Sequence, residues 1–411
     1  MALKNSSIFR GRACIIIILI MLIAAQACAA AGQAGGKAST EELIKNLSNK
    51  DAKIRGETAW ALGKIGDERA IDPLIKALED SNRNVREWAA LALVKIGRPS
   101  VGPVTAAMQG GNDSLRWQAA AVLGLINDSN STDALSSALE SNNSTVRYWA
   151  AAALGQIREN ATQDALIAGL ADEDETVRNE AGWALKPLGG EDLLISLLQD
   201  EDPKRRMGAA HSLGDPAFEQ AALPLIEALN DSDPGVRSEA AAALGRRGER
   251  QAIEPLIGVL ADPAEQVKKQ TIAALALIGR PAIEPLTLAL QNSDNATRAG
   301  AAAALGMIGE ERSVEQLISA FRNGDHAIRQ ASAGALARIN GSLAVPSLIE
   351  ILQDQSLPGD LRADAAWALG EMSDARAKEP LVYAMSYDRD DRVRMSAAKA
   401  MKKAMKAIFN E

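Results

Sequence analysis

The chain has 411 residues, a formal net charge of -8, 47% hydrophobic residues rich in alanine and leucine, and only 3% aromatics. Its basic residues are interleaved with acids, which excludes the clustered Lys and Arg that a duplex-binding surface needs, so nucleic acid is not an expected partner. No stretch alternates as a strand does, and both cysteines, Cys14 and Cys28, fall within the first 28 residues, so the rest can form neither a disulfide nor a thiolate metal site.

Residues 1-27 read as a secretory signal. Lys4, Arg10 and Arg12 precede the apolar run from Ala13 to Ala25, and small residues follow at Ala25 and Ala27. The run is shorter than the roughly 20 residues of a bilayer span, although extension through the alanines to Ala31 would make it an uncleaved anchor. Cys28, directly after Ala27, resembles the lipidated cysteine of a lipoprotein processing box, with Ala25 where a larger aliphatic residue is usual. Residues 28-38 are small and glycine-containing, as a flexible linker is. The expected location is extracellular or the cell envelope, with membrane contact only through this N-terminal segment or a lipid on Cys28.

From residue 39 to 411 the chain repeats itself about every 31 residues. The anchor of each repeat is a basic residue at 55, 86, 116, 147, 178, 206, 237, 268, 298, 329, 362 and 394, arginine everywhere except Lys268. Offsets of -1, +3, +4, +7 and +10 from it carry aliphatic or small residues, with leucine at +7 from Leu62 to Leu369, and they fall on one side of a helix. Upstream of each lies a shorter helix, with proline near its start in seven units, at Pro73, Pro103, Pro224, Pro255, Pro285, Pro346 and Pro380. Each unit is thus a helical hairpin, and stacking about twelve of them buries the apolar faces, giving an all-α solenoid. Asp or Asn four residues before the anchor, from Asp51 and Asn82 to Asp390, is expected to cap the second helix and to meet the arginine of an adjacent unit.

The runs Ala70 to Leu78 and Val85 to Gly97 resemble the HEAT-like repeats of the phycobilisome-lyase type, and the resemblance extends over about 370 residues. It implies an armadillo-type superhelix whose second helices line a concave face. That fold serves scaffolds, adaptors, bilin lyases and a deoxyhypusine-hydroxylase-like iron enzyme alike.

Two places depart from the period. Anchors 178 and 206 stand only 28 residues apart, with Pro187, Gly189 and Gly190 between them, which predicts a kink near 186-203. Anchors 329 and 362 stand 33 apart, with a longer turn at Gln355 to Asp360. The basic cluster Lys399, Lys402, Lys403 and Lys406 on the last helix reads as a solvated cap. Ten Asn-x-Ser/Thr sequons after the signal, among them Asn112, Asn143 and Asn295, are either glycan acceptors or a by-product of turn and cap chemistry.

Catalytic equipment is missing from the pattern. His211 and His326 are the two histidines, too few for the iron site that the hydroxylase resemblance would require, and neither a serine elbow nor a phosphate loop occurs. No cofactor, metal or enzymatic activity is expected. What stands out is the aromatic set. All six tryptophans occupy offsets +1, +2 or +5: Trp60, Trp88, Trp117, Trp149, Trp183 and Trp367, with Tyr148 at +1 and His211 at +5. Those offsets share one side of the second helix, away from its core. The sequence therefore predicts a non-enzymatic exported scaffold that binds a protein or peptide on the concave face through Trp60, Trp88, Trp117, Tyr148, Trp149, Trp183 and His211. A carbohydrate-binding solenoid using the same rings is the alternative, and an enzyme of the lyase or hydroxylase kind is the third reading.

Overall fold

The computed structural model describes residues 39-409, so the signal at 1-27, Cys28 and the linker at 28-38 lie outside the described residues. Over that span the chain is an all-α solenoid of paired helices joined by turns and short 3-10 segments, with no strand among the described residues. It divides into two compact units, one ending at Ser212 and one beginning at Leu213.

One hairpin shows how the sequence makes the unit. The Asp67 carboxylate accepts the Arg69 amide and starts a 3-10 turn, which leads into the first helix, Ile71–Ala77, burying Ile71, Leu74 and Ala77. Pro73 sits in its first turn, where an amide has no helical partner to lose. Asn82 then accepts the Asn84 amide at 2.9 Å and caps the second helix, Arg83–Ile96, which buries Val85, Ala89, Ala92 and Leu93. Gly97, with φ of 78°, closes it. The +7 leucines from Leu62 to Leu369 are at most 1% exposed. The +10 position is less deep than its place on the helical wheel predicts. Ile65 at that offset is 51% exposed, whereas Ile157, likewise the last residue of its helix, is 9% exposed.

Neighbouring second helices approach until their backbones nearly touch. A Cβ added at Gly63 would stand 2.6 Å from the Cα of Ala92 on the next second helix, and one at Gly245 equally close to Ala274. Glycine at +8 facing alanine at +6 is what allows this spacing.

Four of the anchor arginines do two things at once. Arg55 Nη1 donates to the carbonyls of Asn49 and Lys50 in its own inter-helix turn, while Nε and Nη2 grip Asp80 of the next hairpin at 2.6 and 2.7 Å. Arg147 holds Asp172, Arg237 holds Asp262 and Arg362 holds Asp388 with the same fork. These aspartates lie two residues before the helix cap. The expectation that the capping residue itself meets the arginine is corrected here: Asp51, Asp174 and Asp233 each turn a carboxylate oxygen to first-turn amides of their own helices, and it is Asp172, two positions before Asp174, that faces Arg147. The Arg55 guanidinium holds the Asp80 carboxyl below the usual carboxylate range.

Two hairpins differ from the rest. The second helix Glu175–Leu185 is 11 residues long, as is the following one, Pro203–Leu213, where the preceding one has 14, and a 3-10 turn at Lys186–Leu188 and Gly189, with φ of 79°, carry the chain into Gly190–Leu197. In the second unit the chain runs helically from His326 to Gln353, through Pro346, so a second helix and the following first helix are not parted by a turn as expected. At the point where Gly66, Gly248 and Gly309, and also Asn127, Arg158 and Ser373, close other second helices in the left-handed conformation, the chain has Asn340 and the helix continues. Among the described residues no single helix is long and apolar enough to cross a membrane.

Candidate functional site

The unit ending at Ser212 gathers the aromatic residues that the sequence singles out. Trp60 lies on Ala52–Ile65, Trp88 on Arg83–Ile96, Trp117 on Asp113–Ile126, Tyr148 and Trp149 on Ser144–Ile157, and Trp183 on Glu175–Leu185. His211 lies on Pro203–Leu213. Every one of these side chains is half-buried. Trp367 belongs to the second unit, on Gly359–Met372, and is half-buried too.

The rings associate with one another instead of standing singly at helix spacing. Trp60 and Trp88 tilt together with centroids 5.1 Å apart, and the ammoniums of Lys64 and Lys95 sit 5.3 and 5.0 Å from the Trp60 centroid. Gly56 makes room for this pair, since a Cβ there would come within 3.1 Å of the Trp88 ring. Trp117 and Trp149 stack at 5.8 Å with 26° between planes, and Tyr148 meets Trp149 edge-on at 5.6 Å.

A pocket of about 360 Å³ opens beside the second cluster. Leu91, Val122, Leu125, Trp117 and Trp149 give it apolar walls, and Arg83, Arg86, Glu87, Gln118 and Thr145 give it polar ones. Sites of this size with mostly apolar walls and a few convergent polar groups are the usual form of a binding pocket. Three consecutive second helices build it, and the close glycine–alanine packing fixes their separation.

Beyond the pocket the face changes character. Lys186 lies 5.2 Å from the Trp183 centroid, and His211 Nε2 is 2.7 Å from Asn179 Oδ1. Glu180 is half-buried there; desolvation pushes its carboxyl up to about 7, against the Tyr148 hydroxyl, which donates to it and favours the ionised form. Sequence reasoning passed over Arg86, Leu91 and Glu180. The signal for Arg86 was present in the repeat, because the aspartate that the next unit should supply is replaced by Gly110. The signal for Glu180 was its +2 offset from Arg178, one of the three offsets that carry the aromatic stripe.

The chain matches the HEAT repeats family over residues 40–104, 101–186, 191–276, 253–337, 283–359 and 314–402. Among solved structures it is similar to an engineered protein, with 21% identity over 89% of this chain and 98% of that one and a TM-score of 0.28. It is similar to Kap95p in a complex with RanGDP, with 16% identity over 89% of this chain and 61% of that one and a TM-score of 0.44. It is also similar to human deoxyhypusine hydroxylase, with 24% identity over 60% of this chain and 96% of that one and a TM-score of 0.27. No curated protein matches it. The family matches, taken together, run through nearly all of the described residues, and the chain belongs to the HEAT-repeat family.

Proposed function

We propose that this protein is an exported, non-enzymatic scaffold or adaptor that binds a protein or peptide partner along the aromatic face of its N-terminal unit. Its repeats are of the phycobilisome-lyase type by motif, put to binding and not to catalysis. The observation that carries the reading is the pocket beside the Trp117–Trp149 stack, where half-buried indoles and Leu91 offer apolar contact area next to guanidinium and amide donors. Large aromatic and arginine side chains in a concave, partly desolvated setting are the usual energetic anchors of a protein interface. Nothing else in the repeat requires indoles at these offsets, because the core is already made by leucine and alanine. The N-terminal segment supports export by its basic start, apolar run and small residues.

Cross-linked pull-down from the native envelope with the full chain, compared with the triple variant Trp88→Ala, Trp117→Ala and Trp149→Ala, tests the binding reading. Loss of the captured partner from a variant that still folds is the expected result, and full retention overturns it. Intact-mass measurement of the native protein tests export: a chain beginning near Cys28 is expected, and a soluble chain still starting at Met1 overturns it.

A further inference from the structure

The anchor arginine at 86 combines two features: no aspartate stands two residues before the next helix cap, and the residue lines the pocket. Its Nη1 donates to the carbonyls of Asp80 and Ser81, closing its own turn as Arg55 does. In four other units the remaining edge of the guanidinium holds a carboxylate two residues before the next helix cap. Before the cap Asn112 that position is Gly110. The nearby Asp80 is already committed to Arg55 through two bonds of 2.6 and 2.7 Å, and Glu87 is held by Arg83 at 2.7 Å. Among the described residues Arg86 Nε and Nη2 donate to no group, and Arg86 lines the pocket that Trp117 and Trp149 wall. Other hairpins that lack the aspartate, at Ser141, 292 and Asn323, meet anchors that are engaged elsewhere: Arg116 and Arg298 turn Nε to the carbonyls of Met108 and Leu290, and Lys268 pairs with Glu265 of its own helix at 2.7 Å. Lysine is a point charge with no fork to fill; arginine keeps the planar edge that matches a carboxylate.

We infer that this pocket receives an aspartate from an extended partner peptide on the Arg86 fork, with a large apolar side chain next to it lodged against Trp117 and Trp149. The inference rests on the binding role proposed above and gives it a ligand class. Chemically, the partner supplies in trans the carboxylate that the repeat supplies to itself elsewhere, and the apolar neighbour fills walls that the repeat leaves open. A charge-assisted, two-bond contact of this kind discriminates strongly against the isosteric amide, which presents a donor where Arg86 also donates.

The test is fluorescence anisotropy with the full chain and a fluorescein-labelled, amidated octapeptide, Gly-Ser-Gly-Asp-Phe-Gly-Ser-Gly, beside its Asn-Phe and Asp-Gly counterparts. The Asp-Phe peptide should bind, and the other two should bind at least about tenfold more weakly. Arg86→Lys should bring Asp-Phe down to the Asn-Phe level, and Trp117→Ala should weaken both. Equal binding of Asp-Phe and Asn-Phe by the unaltered protein overturns the inference without any variant having to fold, as does failure of every peptide to saturate up to about 1 mM. If Trp117→Ala still weakens peptides that are indifferent to the carboxylate, the aromatic binding role stands and only the aspartate falls; the pull-down above decides that role separately.

Discussion

The two units are built on one framework and differ on one face. Both carry the forked arginine, the capped second helix, the buried leucine and the glycine that meets the next alanine. At +1, +2 and +5 the first unit has Trp60, Trp88, Leu91, Trp117, Tyr148, Trp149 and Trp183, whereas the second has residues such as Ser238, Ala242, Gln270, Ala299, Ala303 and Gly334, with Trp367 alone among them. What repeats in both units is what each hairpin needs to fold and stack. What changes between them is free of that duty, and it is where recognition has room to reside.

The largest effect should come from breaking the framework where it is driest. Arg362 and Asp388 are each 1% exposed in their side chains, and removing the guanidinium by Arg362→Ala leaves a buried carboxylate without its partner. A loss of about 3-5 kcal/mol is expected, seen as a lowered urea midpoint. Arg55→Ala, in the wetter equivalent pair of the first unit, should cost clearly less. Equal losses would mean that burial does not set the strength of the staple.

Next in size are the close approaches, which should matter alike in both units. Gly63→Ala and Gly245→Ala each place a methyl group against backbone atoms 2.6 Å away, so the second helices must part. About 1-3 kcal/mol each is expected from thermal melts. If one unit tolerated the change and the other did not, the claim of a shared framework would fail.

The framework was largely legible in the sequence because its physics is local and recurs in every unit. Periodicity located the +7 leucines, and the Asp/Asn series located the caps. The fork was assigned to the wrong aspartate, since the cap and the residue two before it are both acidic in many turns and only backbone direction tells them apart. The tryptophans were legible as a stripe but not as pairs: whether Trp60 leans on Trp88 or faces solvent depends on Gly56 beneath it and on lysines from two helices. The pocket was not legible, because three helices and the missing carboxylate at Gly110 have to be considered together. The continuous helix from His326 to Gln353 was hidden by Pro346, which reads as a start signal yet is tolerated inside.

Glu180 gives the first unit a pH dependence; the second carries Glu239 at the same offset, where Arg246 Nη2 donates to the carboxylate at 2.9 Å. The folded pKa of Glu180, about 7, lies above the ordinary 4.5, so an unfolded chain ionises it first. Its contribution to stability is therefore full below about pH 4.5 and is lost as pH rises through 7. Glu180→Gln should match the unaltered protein in stability at pH 4 and exceed it by about 1-2 kcal/mol at pH 8, the carboxyl being only half-buried. A difference that is constant between these pH values would show that the carboxyl titrates normally.

The smallest effect separates the two aromatic clusters of the first unit from each other. Trp60 already has company, with Lys64 and Lys95 on the ring and Trp88 tilted against it, whereas the Trp117–Trp149 stack borders open volume. An exposed cation–π contact is worth about 0.5-1 kcal/mol. Lys95→Gln should therefore lower stability by about 0.5 kcal/mol, and adding Lys64→Gln should bring the loss to about 1 kcal/mol, because both ammoniums share one ring. Neither change should alter peptide binding at the pocket, whose walls contain no atom of Trp60, Lys64 or Lys95. Indole fluorescence of the double variant, read with and without the Asp-Phe peptide, checks both halves at once. A spectral change from the lysine substitutions that leaves the peptide response intact would mark the first cluster as packing and the second as the contact surface, and a lost peptide response would join them into one site.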